Sequence, residues 1–368
     1  MDYFPRDLQS AIETALFKGK VIIVYGAHQV GKTTLLRAVQ GNYPGNVLYL
    51  DCHDLTVCES LSNRSVDDLR LLVGENRLVL IDEGQWVENI GITLKQLGDH
   101  FPDVQVIATG SLVMFDLAND QNIPLIGGKT RFHLYPLSVS ELLSRGNNLE
   151  NDLIYGTYPS VLGSVEPAAV LQEIIEGGLY RDVFEHEIIR GGDRLIKVLQ
   201  MLALRVGSEV SYNEIGDHLG LDKVTVSRYV SLLEGENIIF HLPPLKRRLR
   251  KELGKLRKIY FYDQGVRNAL INNFNPLHLR QDVEALWENF FVSERMKYNR
   301  SRHRLVSSFF WRTYDGTKLD YLEEIGNQLT VFECQWVTKK WRVPSSFLRA
   351  YPGSELNQVS RENYTEFL

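Results

Sequence analysis

Cysteine is scarce in this chain: Cys52, Cys58 and Cys334 are the three in 368 residues, scattered and without metal-ligand spacing. That argues against a disulfide framework or a cysteine-ligated metal, and it suits free thiols in a reducing compartment. Long apolar runs are missing as well. No stretch approaches the roughly 18 apolar residues of a membrane span, and the opening Met-Asp-Tyr-Phe-Pro-Arg-Asp is polar, with no signal-peptide core. Both features predict a cytoplasmic chain that makes no membrane contact. Nor is there an excess of positive charge. With a formal net charge of -5, any contact with nucleic acid must come from local basic clusters. The remainder, 44% hydrophobic and 24% charged, is ordinary for globular proteins, and the length implies two or three domains.

What is present is organised around one stretch. Val21-Ile-Ile-Val-Tyr25 reads as a buried strand, and Gly26-Ala27-His28-Gln29-Val30-Gly31-Lys32-Thr33-Thr34 fits G-x-x-x-x-G-K-[ST] without a gap. Glycines let the backbone wrap a phosphate chain with several N–H groups pointing inward. The helix opening near Lys32 adds its positive end. The pattern predicts that Lys32 reaches the β- and γ-phosphates of a nucleoside triphosphate and that the Thr33 hydroxyl ligates Mg²⁺. A chance match in a turn would not account for the apolar strand before it or for Leu35 and Leu36 after it.

Further strands read at 46–51, 77–83 and 104–111, with helical stretches between them, which predicts a parallel α/β sheet flanked by helices. The strand Arg77-Leu-Val-Leu-Ile-Asp-Glu83 ends in two carboxylates. This is a Walker B pattern: Asp82 is expected to hold Mg²⁺ and Glu83 to orient or deprotonate the attacking water. Thr109 or Ser111, at the tip of the next strand, is expected to contact the γ-phosphate, while Ser111 is equally placed to cap a helix.

These phrases, with Pro136-Leu-Ser-Val-Ser-Glu141, resemble a prokaryotic family of AAA-type ATPases related to archaeal ATPases, which carry an uncharacterised C-terminal domain. Tyr155-Gly-Thr-Tyr-Pro159, Asp263-Gln-Gly, Trp287-Glu-Asn-Phe and Trp311-Arg-Thr extend the resemblance over essentially the whole chain. It implies ATP and Mg²⁺ as cofactors. Two departures stand out: His28 where the family often has arginine, and Gly-Gly-Lys129-Thr-Arg131 where it usually has Gly-Arg. If that arginine senses phosphate, Lys129 or Arg131 must replace it. Tyr180-Arg181-Asp182 resembles a recurrent family motif that would face the nucleotide or a neighbouring subunit, but a surface salt-bridge network is the favoured reading of these residues.

Downstream, residues 211–233 show two amphipathic helices flanking Gly220, with Asp222 as N-cap, a helix-turn-helix signature. Strands near 238–242 and 258–262 would complete a winged helix, and Lys223, Thr225, Ser227 and Arg228 could face a major groove. Such units also serve as lids over AAA-type ATP sites. From Leu245 to Lys258, including Lys246, Arg247, Arg248 and Arg250, eight basic residues stand against one acid, which favours an anionic partner such as DNA or an acidic protein. In the last third, Glu288, Asp320 and Glu333-Cys-Gln335 resemble the PD-(D/E)xK endonuclease-like core, where two carboxylates bind Mg²⁺ and a lysine activates water. Gln335 occupies the lysine position, which favours a scaffold over a nuclease.

The expectation is therefore an α/β chain of three parts: an AAA-type core (1–150), a helical lid with winged helix (151–262) and an endonuclease-like domain (263–368). ATP hydrolysis would move the later parts and act on DNA. The alternatives are a slow ATP-dependent switch that binds DNA or protein, and an ATP-regulated nuclease. An oligomer is compatible with this family.

Overall fold

The computed structural model describes residues 4–110, 128–143, 146, 148–179, 192–245, 256–313 and 315–368. The chain divides into two compact units, residues 1–137 with 235–237, and residues 138–234 with 238–368. Among the described residues no helix is long and apolar enough to cross a membrane. Cys52, Cys58 and Cys334 are buried free thiols.

In the first unit, strands β1 (Val21–Tyr25), β2 (Val47–Asp51), β3 (Leu78–Asp82), β4 (Gln105–Gly110) and β5 (Lys129–His133) alternate with helices. The helices are α1 (Asp7–Ala15), α2 (Lys32–Asn42), α3 (Leu55–Leu61), α4 (Val66–Val73) and α5 (Ile90–His100). The strands form one sheet in the order β2-β3-β4-β1-β5, every neighbouring pair parallel. β1, β3 and β4 are apolar on both faces, as strands of a covered parallel sheet must be. Val21, Ile23, Val79, Ile81, Val106 and Ala108 pack with Leu61, Leu69, Leu94 and Leu97 of α3 to α5. The alternate residues Ile22, Val24, Leu80 and Ile107 are buried too. Because all strands run the same way, Gly26, Asp82–Glu83 and Gly110 emerge at one end of adjacent strands. That is where ligands bind in open parallel sheets.

In the second unit, α6 (Gly192–Leu204), α7 (Tyr212–Leu219) and α8 (Lys223–Gly235) lie along the chain with strands β6 (Glu209–Val210), β7 (Ile239–Leu242) and β8 (Arg257–Phe261). These strands form an antiparallel sheet, β6-β8-β7. The turn between α7 and α8 follows from its sequence. Gly220 takes φ 64° and ψ 39°, and a Cβ at Gly216 would lie 2.4 Å from the Leu221 carbonyl oxygen. The Asp222 carboxylate accepts from the backbone N–H of Val224 at 2.8 Å and of Thr225 at 2.9 Å, capping α8. After helix Gln264–Leu270 come α9 (Val283–Ser301), β9 (Ser307–Arg312), β10 (Lys318–Ile325), β11 (Gln328–Cys334), α10 (Ser345–Ala350) and β12 (Glu355–Val359). The sheet runs β12-β11-β10-β9, with β9 to β11 antiparallel and β12 parallel to β11.

The expected boundary at 262 does not separate two cores. Leu153, Leu242 and Tyr260 share one apolar cluster with Trp287, Phe290, Phe310 and Phe332. Two of the quoted family phrases form a joint within this unit. Asp263 accepts from Thr157 N–H at 2.7 Å, and a Cβ on Gly265 would fall 2.0 Å from the Tyr155 carbonyl oxygen. Asn268 Nδ2 donates to the Leu153 and Ile154 carbonyls at 2.9 and 2.8 Å, closing the end of helix Leu149–Tyr155.

Candidate nucleotide site

Beyond β1 the backbone turns through residues 26–31 into α2. A Cβ at Gly26 would lie 2.2 Å from the Leu134 carbonyl oxygen, so no side chain fits there. Gly31 caps α2 with φ 100° and ψ 26°, a region open chiefly to glycine. Ala27 and Val30 are buried, His28 is half-buried and Gln29 is exposed at φ 60°. Arg6 pins this loop from the first residues of the unit, donating to the carbonyls of Val30 at 2.8 Å and Tyr135 at 2.5 Å. Thr33 and Thr34 are exposed on the first turn of α2. Lys32 is buried, and its ammonium donates to the Gly26 and Ala27 carbonyls at 3.2 Å each, with Glu83 Oε1 at 3.4 Å.

The carboxylates at the end of β3 are held by hydroxyls from both neighbouring strands. Tyr49 on β2 donates to Asp82 Oδ2 at 2.5 Å, and Thr109 on β4 donates to Asp82 Oδ1 at 2.5 Å. The same Thr109 oxygen accepts from the Glu83 N–H at 3.0 Å. Burial and the bond to Asp82 raise the Tyr49 pKa, so the phenol keeps its proton and remains a donor. Glu83 has φ 53°, a position that costs a non-glycine residue about 1 kcal/mol or more. Its carboxylate also accepts from Gln85 Nε2. Burial pushes the Glu83 pKa up, but Lys32, Gln85 and His28 outweigh it, and the net direction is down.

The structure thus brings Gly26, Gly31, Lys32, Thr33, Asp82, Glu83 and Thr109 to one end of the sheet. Thr109 is fully buried with its hydroxyl engaged on both sides, which makes it an orienting group for the acidic pair instead of an exposed phosphate sensor. Ser111 lies outside the described residues. Lys129 and Arg131, the expected replacements for a sensing arginine, pair in register with Val21 and Ile23. At about 3.3 Å per residue, Lys129 lies about 13 Å behind the end of β1, so the register argues against that role for it. Sequence reasoning missed Tyr49 and Arg6. Neither carries a local signal, because each acts through a neighbour far along the chain.

Among the residues proposed for nucleic acid, Lys223 and Arg228 are exposed on α8 and Ser227 is half-buried. Thr225 is engaged: its hydroxyl donates to Asp222 Oδ2 at 2.7 Å. Lys246, Arg247, Arg248 and Arg250, like Tyr180-Arg181-Asp182, lie outside the described residues. The last residue of the basic stretch, Lys258, is a correction. It is 1% exposed and paired with Glu288 and Asp320, so it adds nothing to a basic surface.

Family comparisons divide the chain into three segments. Residues 18–143 match the AAA domain, residues 146–277 a domain of unknown function (DUF8612), and residues 283–362 another (DUF4143). An uncharacterized protein of Mycobacterium tuberculosis is 25% identical over 335 residues, covering 89% of this chain and 73% of the relative. One from Methanocaldococcus jannaschii is 27% identical over 334 residues, covering 76% and 69%. Among solved structures, a DNA replication initiation factor aligns over 54% of this chain and 67% of its own at 17% identity. Its TM-score of 0.31 is too low to support any argument. The phosphate-loop geometry and the match at residues 18–143 agree: this part of the chain is an AAA-type ATP-binding domain, and the stretches after it match two domains of unknown function.

Proposed function

We propose that this chain is a Mg²⁺-dependent ATPase whose nucleotide cycle governs a winged-helix module acting on DNA. The observation that carries the ATPase reading is the Lys32–Glu83 pair, 3.4 Å apart, beside an Asp82 carboxylate fixed by two hydroxyls. Bound Mg²⁺ and ATP supply the phosphoryl group to be transferred and the divalent charge that neutralises it. Lys32 would exchange its bonds to Gly26, Ala27 and Glu83 for phosphate oxygens. Thr33 and Asp82 would hold the metal, with Tyr49 and Thr109 fixing the direction of the Asp82 oxygens. Glu83, released from Lys32, would accept the proton of the attacking water.

A second reading is favoured by one observation. The Glu83 pKa is lowered and its carboxylate is paired, so it is a weak base until Lys32 leaves. That supports a slow switch in which a partner, DNA or protein, triggers turnover. The exposed Lys223 and Arg228 on α8, next to the sheet β6-β8-β7, support DNA as that partner. The test is phosphate release from Mg²⁺-ATP with and without duplex DNA, beside Lys32→Ala and Glu83→Gln. Turnover that rises with DNA and is lost in both variants supports the full reading. Turnover that ignores DNA, with binding unchanged in Lys223→Ala/Arg228→Ala, removes DNA and points to a protein partner. Turnover that survives Lys32→Ala overturns the site.

A further inference from the structure

The acids of the endonuclease-like core come from three elements of the second unit: Glu288 on α9, Asp320 on β10 and Glu333 on β11. In such a core these acids imply a divalent metal, and this chain's own residues do not fit one. The ammonium of Lys258, carried in by β8, donates to Glu288 Oε1 at 2.7 Å and Asp320 Oδ1 at 3.2 Å. Glu288 Oε1 also accepts from the Tyr260 hydroxyl at 2.6 Å, so this oxygen already takes two donors. Lys258, Glu288 and Asp320 are all buried. Gly207, at φ 68°, lets the backbone pass this carboxylate, since a Cβ there would approach Glu288 Oε1 to 3.3 Å. Gln335, in the family's lysine position, is turned to other work: its Oε1 accepts from Gln358 Nε2 at 2.8 Å and Lys339 N–H at 2.9 Å. Among the described residues, no three His, Cys, Asp or Glu side chains converge as a metal site.

We propose that Lys258 is the resident cation of this cluster, its ammonium standing where a divalent metal would bridge the acids, so that the domain is a metal-free scaffold. Magnesium requires oxygen ligands near 2 Å in octahedral array, whereas an ammonium is satisfied by two carboxylate oxygens at hydrogen-bond distance. A lysine that instead activated water beside a bound metal would need those oxygens for the metal.

The test uses the nucleotide-free full chain with Mn²⁺, followed by the electron paramagnetic resonance signal of the free ion. Wild type is expected to show no tight site dependent on Asp320, and Lys258→Met to gain one Mn²⁺ per chain that Asp320→Asn removes again. Mn²⁺ should also raise the Tm of Lys258→Met and leave that of wild type unchanged. A wild-type site that is lost in Asp320→Asn overturns the proposal, as does plasmid nicking with Mn²⁺ that Asp320→Ala abolishes. A folded Lys258→Met that takes up no Mn²⁺ overturns it too. Should that variant not fold, the wild-type arms decide alone: no Asp320-dependent Mn²⁺ and no nicking supports the proposal.

Discussion

Two buried lysines among carboxylates mark the two units, and they are held very differently. Lys32 meets one carboxylate at 3.4 Å and two carbonyls at 3.2 Å, at the mouth of a loop whose first helical turn is exposed. Lys258 meets two carboxylates, at 2.7 and 3.2 Å, with a phenol closing the same oxygen. The first set of bonds is long and suited to exchange for a phosphate chain. The second is short, nearly dry and built from three elements, β8, α9 and β10. The same side chain is thus an exchangeable ligand in one place and an internal counter-ion in the other.

The sharpest way to break this contrast is to exchange the phenotypes. Lys32→Ala should lower ATP turnover by roughly 10²-fold or more, as expected for a lost charge stabiliser, while the thermal unfolding curve stays close to wild type. Glu83→Gln should lower turnover by about 10²–10⁴, the usual contribution of a general base, and leave ATP bound in equilibrium dialysis. Lys258→Met should do the reverse. Stranding two buried carboxylates costs about 3–5 kcal/mol, read as a lower urea midpoint. If Lys32→Ala proved the less stable variant, the contrast would fail.

How much of this was legible depended on distance along the chain. Gly26 to Thr34 and Asp82–Glu83 could be read because their chemistry lies in residue types at fixed local spacing, and Gly220 with Asp222 for the same reason. Lys258 was misread. Counted along the chain it closes a basic run, yet its partners lie 30 and 62 residues away. Tyr49 lies 33 residues from Asp82 and was invisible for the same reason. The apolar cluster that joins Leu153, Leu242 and Tyr260 to Trp287 and Phe332 was not legible either, because apolar periodicity says which face of an element is buried and not which other element buries it.

Two smaller tests sharpen the comparison. In the folded chain Glu333 keeps its proton up to about pH 8, against an ordinary 4.5, through burial and the charge of Asp320; Lys258, Lys318 and Glu288 also act on it. The folded state therefore binds the extra proton between those values, and stability falls as pH rises through that window. Glu333→Gln should remove this slope, so its Tm should exceed that of wild type at pH 9 and approach it at pH 5. Equal slopes would dismiss Glu333 as the titrating group. Smallest of all, Tyr49→Phe should weaken turnover by about 10-fold at most, the scale of one hydrogen bond of roughly 1 kcal/mol. A loss as large as that of Lys32→Ala would mean that Tyr49 touches the reacting groups directly.

The joint between Tyr155-Gly-Thr157 and Asp263-Gln-Gly265 also bears on how the chain is made. During synthesis the carbonyls of Leu153 and Ile154 emerge more than 100 residues before Asn268, which satisfies them in the finished fold. Until then the end of that helix must be hydrated or frayed, because unpaired carbonyls are costly to bury. The second unit therefore cannot complete itself from its leading edge. A fragment ending at 262 would lack Asp263, Gly265 and Asn268 together, and would remain an open intermediate with apolar surface exposed to aggregation.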